Sequence, residues 1–224
     1  MNEVKRIREV YRKRSDKSES DNKYSVLFSQ QRRNEIFAAV NKAGLLSCDC
    51  RLLDVGCGCG DVLGCFSSFG YRPENTYGID LLPERINEAR RRYPHALFVI
   101  GSVDSLPFHR EFFDVITQST VFTSILDTQI KRRGASEMLR VLKPKGIIVW
   151  HDYRFDNPIN RDARGIGKAE IRSLFPGCQI DFKLITLNPI IGRLVARMTL
   201  KLCRFMEGIP LLRTHWLATI RKTR

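Results

Sequence analysis

No stretch of this chain approaches the roughly 18 uninterrupted apolar residues that a membrane-crossing helix needs. Its opening, MNEVKRIREVYRKRSDKSES, has no apolar run that would serve as a secretory leader. Internal repeats are absent. Disulfide pairing is not expected either: the seven cysteines are odd in number, and Cys48, Cys50, Cys57, Cys59 and Cys65 crowd one region. With no leader, a reducing cytoplasm is the expected location. The C-x-C-x6-C-x-C spacing also lacks the two intervening residues that let paired thiolates reach one zinc ion, so no metal is expected and the cysteines read as small buried residues. Acidic residues are in short supply, with 24 Asp and Glu against 38 Lys and Arg, a net charge of +14. That imbalance predicts attraction to something anionic: nucleic acid, an acidic membrane face or a phosphorylated acceptor.

What is present is enough apolar residue, 43% of 224, for one large domain with its own core. Residues 1–23 are polar and basic and read as a frayed helix or a partly disordered arm. Residues 24–224 read as a single domain. Val26, Leu27, Ile36, Phe37 and Val40 recur at helical spacing before a stop at Gly44. Beyond it, strand-like runs (RLLDVG, TYGID, ALFVIG, FDVITQS, GIIVWHD, QIDFKLITL, HWLATIR) alternate with helix-like ones (GDVLGCFSSF, LPERINEARRRY, TQIKRRGASEMLRVL, KAEIRSLF). Alternation of this kind predicts an α/β fold, a Rossmann-like seven-stranded and mostly parallel sheet with helices on both faces. No ordinary crossover helix stands before the final run, which predicts an antiparallel last strand.

The first strand-to-helix turn is LLDVGCGCGD, at residues 52–61. A dinucleotide loop has its glycines as G-x-G-x-x-G and a phosphate loop ends in lysine. Here Gly56, Gly58 and Gly60 are spaced by two, with Asp61 following and Asp54 preceding. Acids at the mouth disfavour phosphate and favour a ligand with cationic groups and no phosphate. S-adenosylmethionine, with its amino group and sulfonium, meets that description, and small residues would let its methionine part lie on bare backbone.

LLDVGCGCG resembles the first motif of the class I S-adenosylmethionine-dependent methyltransferases. YGIDLLPERINEAR, GSVDSLPF, FDVITQS and EMLRVLKPKGIIVW are similar to that family's later motifs in the same order, over roughly residues 50–152. The resemblance implies a cofactor site in which Asp54, Gly56, Cys57, Gly58 and Gly60 line the methionine moiety. It implies that Asp80 takes both ribose hydroxyls, as a carboxylate can accept two hydrogen bonds. It further implies Leu81, with Leu82, against the adenine, Val103 and Asp104 at its amine, and Gln118 near the reaction centre. Helix or turn capping is the alternative reading of Asp80 and Asp104.

After the fifth strand, WHDYRFDNPINRDARGIG is dense in polar groups. His151 reads as a general base with Asp152 fixing its tautomer or binding the acceptor, and Tyr153 or Arg154 orienting it; a structural loop is the alternative. QSTVFTS replaces the N/D-P-P-Y pattern of amine-methylating members, which speaks against nucleobase or glutamine acceptors. Residues 189–210 read as an amphipathic helix inserted before the last strand. It has Arg193, Arg197, Lys201 and Arg204 on one stripe, and the readings are a helix that covers the pocket, one that meets an inner membrane surface or a lipid-linked substrate, and one that binds nucleic acid. The tail resembles bacterial methyltransferases of the ubiquinone/menaquinone type and those acting on small molecules or surface glycans. The expected function is methyl transfer to a small-molecule, glycan or lipid-linked acceptor at oxygen, with carbon and nitrogen as the alternative atoms. An RNA methyltransferase and a non-catalytic S-adenosylmethionine-binding partner subunit are the alternatives.

Overall fold

Leu52, Leu53, Asp54 and Val55 are all buried, so the first strand, β1 (Leu52–Val55), has no solvent face, as a strand at the centre of a covered parallel sheet requires. The computed structural model describes residues 3–15, 23–156 and 162–223. Before β1 come α1 (Glu3–Ser15) and α2 (Lys23–Lys42). After it follow α3 (Asp61–Ser68), β2 (Thr76–Asp80), α4 (Pro83–Arg92), β3 (Leu97–Ile100), β4 (Phe113–Ser119), α5 (Thr128–Val141), β5 (Leu142–Tyr153) and α6 (Lys168–Leu174). The chain closes with β6 (Cys178–Leu187), α7 (Pro189–Ala196), α8 (Leu200–Glu207) and β7 (Arg213–Lys222).

The strands form one sheet in the order β3-β2-β1-β4-β5-β7-β6. Pairing is parallel from β3 through β5, and β7 runs antiparallel to both β5 and β6. Side-chain alternation sorts the sheet into two cores. Leu53, Ile116, Ile148 and Trp150 point to one face, beneath α5 and α6. Leu52, Val115, Ile147 and Val149 point to the other, beneath α2, α3 and α4. The chain reverses its winding direction between β1 and β4, and the carboxyl ends Val55, Asp80 and Ser119 meet at one edge there. Open α/β sheets bind their ligands at such a switch point.

Of the two readings of the N-terminal arm, residues 3–15 take the helical one: α1 lies across the carboxyl edge, where Arg6 donates to the Ser124 carbonyl at 2.5 Å and Glu3 accepts from the Leu126 amide at 2.6 Å. The remainder of the arm, residues 1–2 and 16–22, lies outside the described residues. The predicted single helix at 189–210 is two helices. Thr199 takes extended backbone angles and its Oγ1 accepts from the Lys201 amide at 3.2 Å, which starts α8 afresh. The basic stripe is thereby divided, with Arg193 on α7, Arg197 at its end, and Lys201 and Arg204 on α8.

Candidate active site

The turn from β1 into α3 forms the floor of a cavity of about 930 Å³ at the carboxyl edge. Gly56 has φ +69°, and a Cβ there would stand 2.3 Å from the Val121 side chain, so both conformation and space demand glycine. Gly60, φ +85°, precedes α3, and a Cβ would meet the Tyr93 ring at 2.8 Å. Backbone amides of Gly56 and Cys57 both donate to the Ile79 carbonyl, at 2.7 and 3.1 Å, which ties the loop to β2.

Asp80, at the end of β2, does the capping job and faces the cavity as well. Its Oδ2 accepts from the Gly58 amide and its Oδ1 from the Leu82 amide, both at 2.9 Å, while the carboxylate lines the cavity. Each oxygen keeps a lone pair for a further donor. Asp54, Gly56, Cys57, Gly58, Leu81 and Val103 also line the cavity. Gly60, Asp104 and Gln118 are not part of its wall. Asp104 instead takes the Ser102 hydroxyl and pairs with Arg133 at 3.2 Å, and Gln118 donates to Asp152 at 3.1 Å.

The Asp54 carboxylate is wholly buried. Desolvation pushes it up to about 7, against the Thr117 hydroxyl that donates to it at 2.7 Å and the nearby Arg32 guanidinium. Arg32 reaches the cavity from α2, where its Nη1 donates to Ser119 Oγ at 3.3 Å and its buried Nε has no partner among the described residues. Burial pushes this guanidinium down from its ordinary value and Asp54 opposes the shift.

His151 does not face the cavity. Its ring is fully buried on β5, stacked on His215 with centroids 4.7 Å apart and 2° between planes. Its contact with the cavity wall runs through Ser119, whose Oγ lies 2.8 Å from Nδ1. Which atom donates in this contact is set by the imidazole tautomer, since the serine oxygen can accept from Arg32 and still either donate to Nδ1 or accept from it. Burial pushes His151 well below its ordinary value, reinforced by His215 and Arg32. Asp152 does not orient His151, because successive strand residues point to opposite faces. It accepts from Thr123 Oγ1 at 2.7 Å and from Gln118, and burial pushes it up to about 7 against those two bonds. Tyr153 packs on His215, ring centroids 3.9 Å apart, and Arg154 stands over the Phe155 ring. The rest of that loop, residues 157–161, lies outside the described residues.

Five contributors went unread in the sequence. Arg32 and Ser119 form the polar end of the cavity, and Thr120, beside them, holds φ +57°, an unusual angle for a β-branched residue. Ile7 and Tyr11 of α1 roof the other side. Of these, only Ser119 had a signal, its position at the end of the fourth strand.

Residues 53–150 match the family model described as a methyltransferase domain. The ubiquinone/menaquinone biosynthesis C-methyltransferase UbiE of Campylobacter jejuni is 24% identical over 153 residues, 66% of this chain and 58% of that protein. This chain's match thus spans little more than half of that relative's length. The phthiotriol/phenolphthiotriol dimycocerosates methyltransferase of Mycobacterium leprae is 32% identical over 111 residues, 49% of this chain and 40% of that protein. Among solved structures, a SAM-dependent methyltransferase from Methanosarcina mazei superposes with TM-score 0.60 at 20% identity, covering 79% of this chain and 94% of its own. The [4+2]-cyclase SpnF superposes with TM-score 0.61 at 19% identity, covering 85% and 81%. A cyclase among the neighbours illustrates that this fold alone does not decide the reaction. The glycine loop, the doubly committed Asp80 and the cavity between them fit the cofactor these domains use, S-adenosylmethionine. Together with the family match they mark residues 53–150 as a methyltransferase domain of the class I S-adenosylmethionine-dependent kind.

Proposed function

We propose that the protein transfers a methyl group from S-adenosylmethionine to an acidic hydroxyl, phenolic or enolic, of a small-molecule or lipid-linked acceptor. The observation that carries this reading is the pairing of Arg32 with Ser119 at the polar end of the cavity, in front of a histidine held neutral. When bound, S-adenosylmethionine supplies a methyl on a positively charged sulfur, ready to be taken by an electron-rich atom. Asp80 would hold the ribose, Leu81 and Val103 the adenine, and Asp54 with the backbone of Gly56 to Gly58 the charged methionine end. Arg32 would steady an oxyanion, and Ser119 would fix its direction.

His151 is poorly suited to take a proton. A cation on its ring would sit without solvent beside Arg32 and His215, so a weakly acidic alcohol would gain nothing from it. An acceptor that ionises in water before it enters needs no base, only a fixed approach to the methyl. His151 then serves as a positioning residue that anchors the Ser119 hydroxyl.

Turnover with methyl-labelled cofactor, measured for two phenolic acceptors of different acidity, tests the reading, with mass spectrometry and NMR locating the methyl on oxygen. The kcat/KM profile is expected to rise with each acceptor's own pKa and to keep that dependence in His151→Gln. A single midpoint shared by both acceptors and abolished in His151→Gln would restore His151 as the base. A methyl found on carbon would replace the oxygen assignment.

A further inference from the structure

The segment from Asn188 to Leu212 carries apolar side chains on two sides. On the inner side Val195, Ala196 and Cys203 are buried against Tyr24 and Leu187. On the outer side Leu194, Met198, Phe205 and Leu211 are 65%, 78%, 73% and 86% exposed. A helical pair whose only task was to cover the core would be polar at those outer positions. Arg193, Arg197, Lys201 and Arg204 are all exposed among them, and Glu207 is the one acid between residues 188 and 212. Protruding apolar residues set among cations, with almost no acid, suit the boundary between anionic headgroups and acyl chains.

We propose that α7, α8 and the 3₁₀ turn Pro210–Leu212 form a docking surface for an anionic lipid bilayer. Charge complementarity selects this occupant: a bilayer offers both negative headgroups for the exposed Arg197, Lys201 and Arg204 and an apolar layer for the four protruding side chains. The surface also lies near the cavity. β6 runs in the same direction as β5, since both oppose β7, so Leu187 delivers α7 to the carboxyl edge where Asp54, Asp80 and Ser119 end. α7 is seated on α2 at Gly192, where a Cβ would lie 2.1 Å from the Tyr24 ring. Arg32 follows Tyr24 on the same helix, about 12 Å farther along its axis. A bilayer held by α7 and α8 would therefore lie close to the Arg32 end of the cavity, where a lipid-linked acceptor would have to enter. Docking requires no turnover, so it can succeed or fail independently of the acceptor proposed above.

Sedimentation of the full chain with vesicles of phosphatidylcholine alone, or with phosphatidylglycerol added, tests the surface. Pelleting is expected only with the anionic vesicles and should fall as salt rises. The double variant Arg197→Glu, Lys201→Glu should lower the partition coefficient at least about tenfold, given about fivefold per cation near a charged surface. Leu194→Ser with Phe205→Ser should lower it by about tenfold or more through lost apolar insertion. Met198→Trp should show blue-shifted emission on the anionic vesicles. Circular dichroism melting of each variant separates lost docking from lost folding, since every substituted position is exposed. Absence of pelleting with anionic vesicles overturns the proposal. So does equal pelleting with neutral ones, or a charge dependence that Leu194→Ser with Phe205→Ser leaves untouched. Concentration-dependent self-association that protects the same residues would replace the bilayer with a second copy of the chain.

Discussion

Replacing Asp54 by asparagine should make the cofactor-free protein more stable at pH 8 than the parent while weakening its hold on the cofactor. The carboxyl is wholly buried and ionises near 7 in the fold, against 3.8 ordinarily. Between those two values the folded state keeps a proton that the unfolded chain has lost, so this group's contribution to stability falls as pH rises and levels off above 7. Integrated from pH 5 to pH 8, the loss is about 2.7 kcal/mol, an upper figure that takes the full slope of about 1.36 kcal/mol per pH unit up to the folded-state pKa. Asparagine has nearly the same shape, its amide oxygen still accepts from the Thr117 hydroxyl, and it carries no such loss.

The parent's own pH profile hides this effect. Asp152 is also pushed up to about 7, so its contribution too falls with rising pH. His151 and His215 are pushed down, His215 to about 3, so across the interval up to 6.5 their contributions rise with pH. In the parent the falling and rising contributions oppose each other below pH 6.5. Removing one carboxyl takes away one falling contribution, so between about pH 4 and 6.5 the variant's unfolding free energy should rise relative to the parent's by a little over 1 kcal/mol per pH unit. Urea unfolding of both proteins at several pH values is the assay. Parallel curves for parent and variant would refute the reasoning, since they would mean that Asp54 is ionised in the fold throughout and fully compensated by Arg32.

The cofactor supplies the complementary outcome: a cationic ligand beside Asp54 should take up its negative form, so calorimetric affinity should rise from pH 6 to pH 8 in the parent with release of a proton, and should be flat in Asp54→Asn. Asp80→Ala should weaken S-adenosylhomocysteine binding by about 1.5 to 3 kcal/mol, the usual range for hydrogen bonds to a charged group; unchanged affinity would reduce Asp80 to a turn cap. Gly56→Ala should abolish cofactor binding, and adding Val121→Ala should recover it only in part, because the second change clears the 2.3 Å clash and leaves the left-handed backbone angle in place; full recovery would show that the loop relaxes freely. Ser119→Ala should raise the acceptor KM while leaving S-adenosylhomocysteine affinity unchanged, and a loss confined to the cofactor would place the hydroxyl at the other end of the cavity.

The strands were legible because burial on both faces forces continuous apolar runs and because short turns punctuate them. FDVITQS and TYGID coincide with β4 and β2 to the residue. β5 begins four residues earlier than its apolar run, at Leu142, where a register shift between Phe113 and Val115 absorbs the intervening Lys-Pro-Lys-Gly. Nothing in the local composition announces that irregularity, since it is set by the pairing partner. The helix at the C-terminal insertion was legible as amphipathic and not as broken. Spacing shows periodicity, whereas the break depends on Thr199 competing with the helix for a backbone amide.

The cofactor end of the site lies within one contiguous motif and its neighbours, and every residue there is held by backbone geometry that demands particular types: glycine for positive φ, a short carboxylate for two amides. The polar end is different in kind. Arg32 and Ser119 are 87 residues apart and meet because the winding reverses between β1 and β4, which brings α2 over the end of β4. His151 was conspicuous in the sequence for its chemistry, yet its environment is set by three strands and one helix. His215 from β7, Ser119 from β4 and Phe28 and Arg32 from α2 enclose the ring and exclude water. A histidine's chemistry follows from what surrounds it. Here the surroundings hold the ring neutral, so under the proposed function the charge that would govern the acceptor is the one on Arg32.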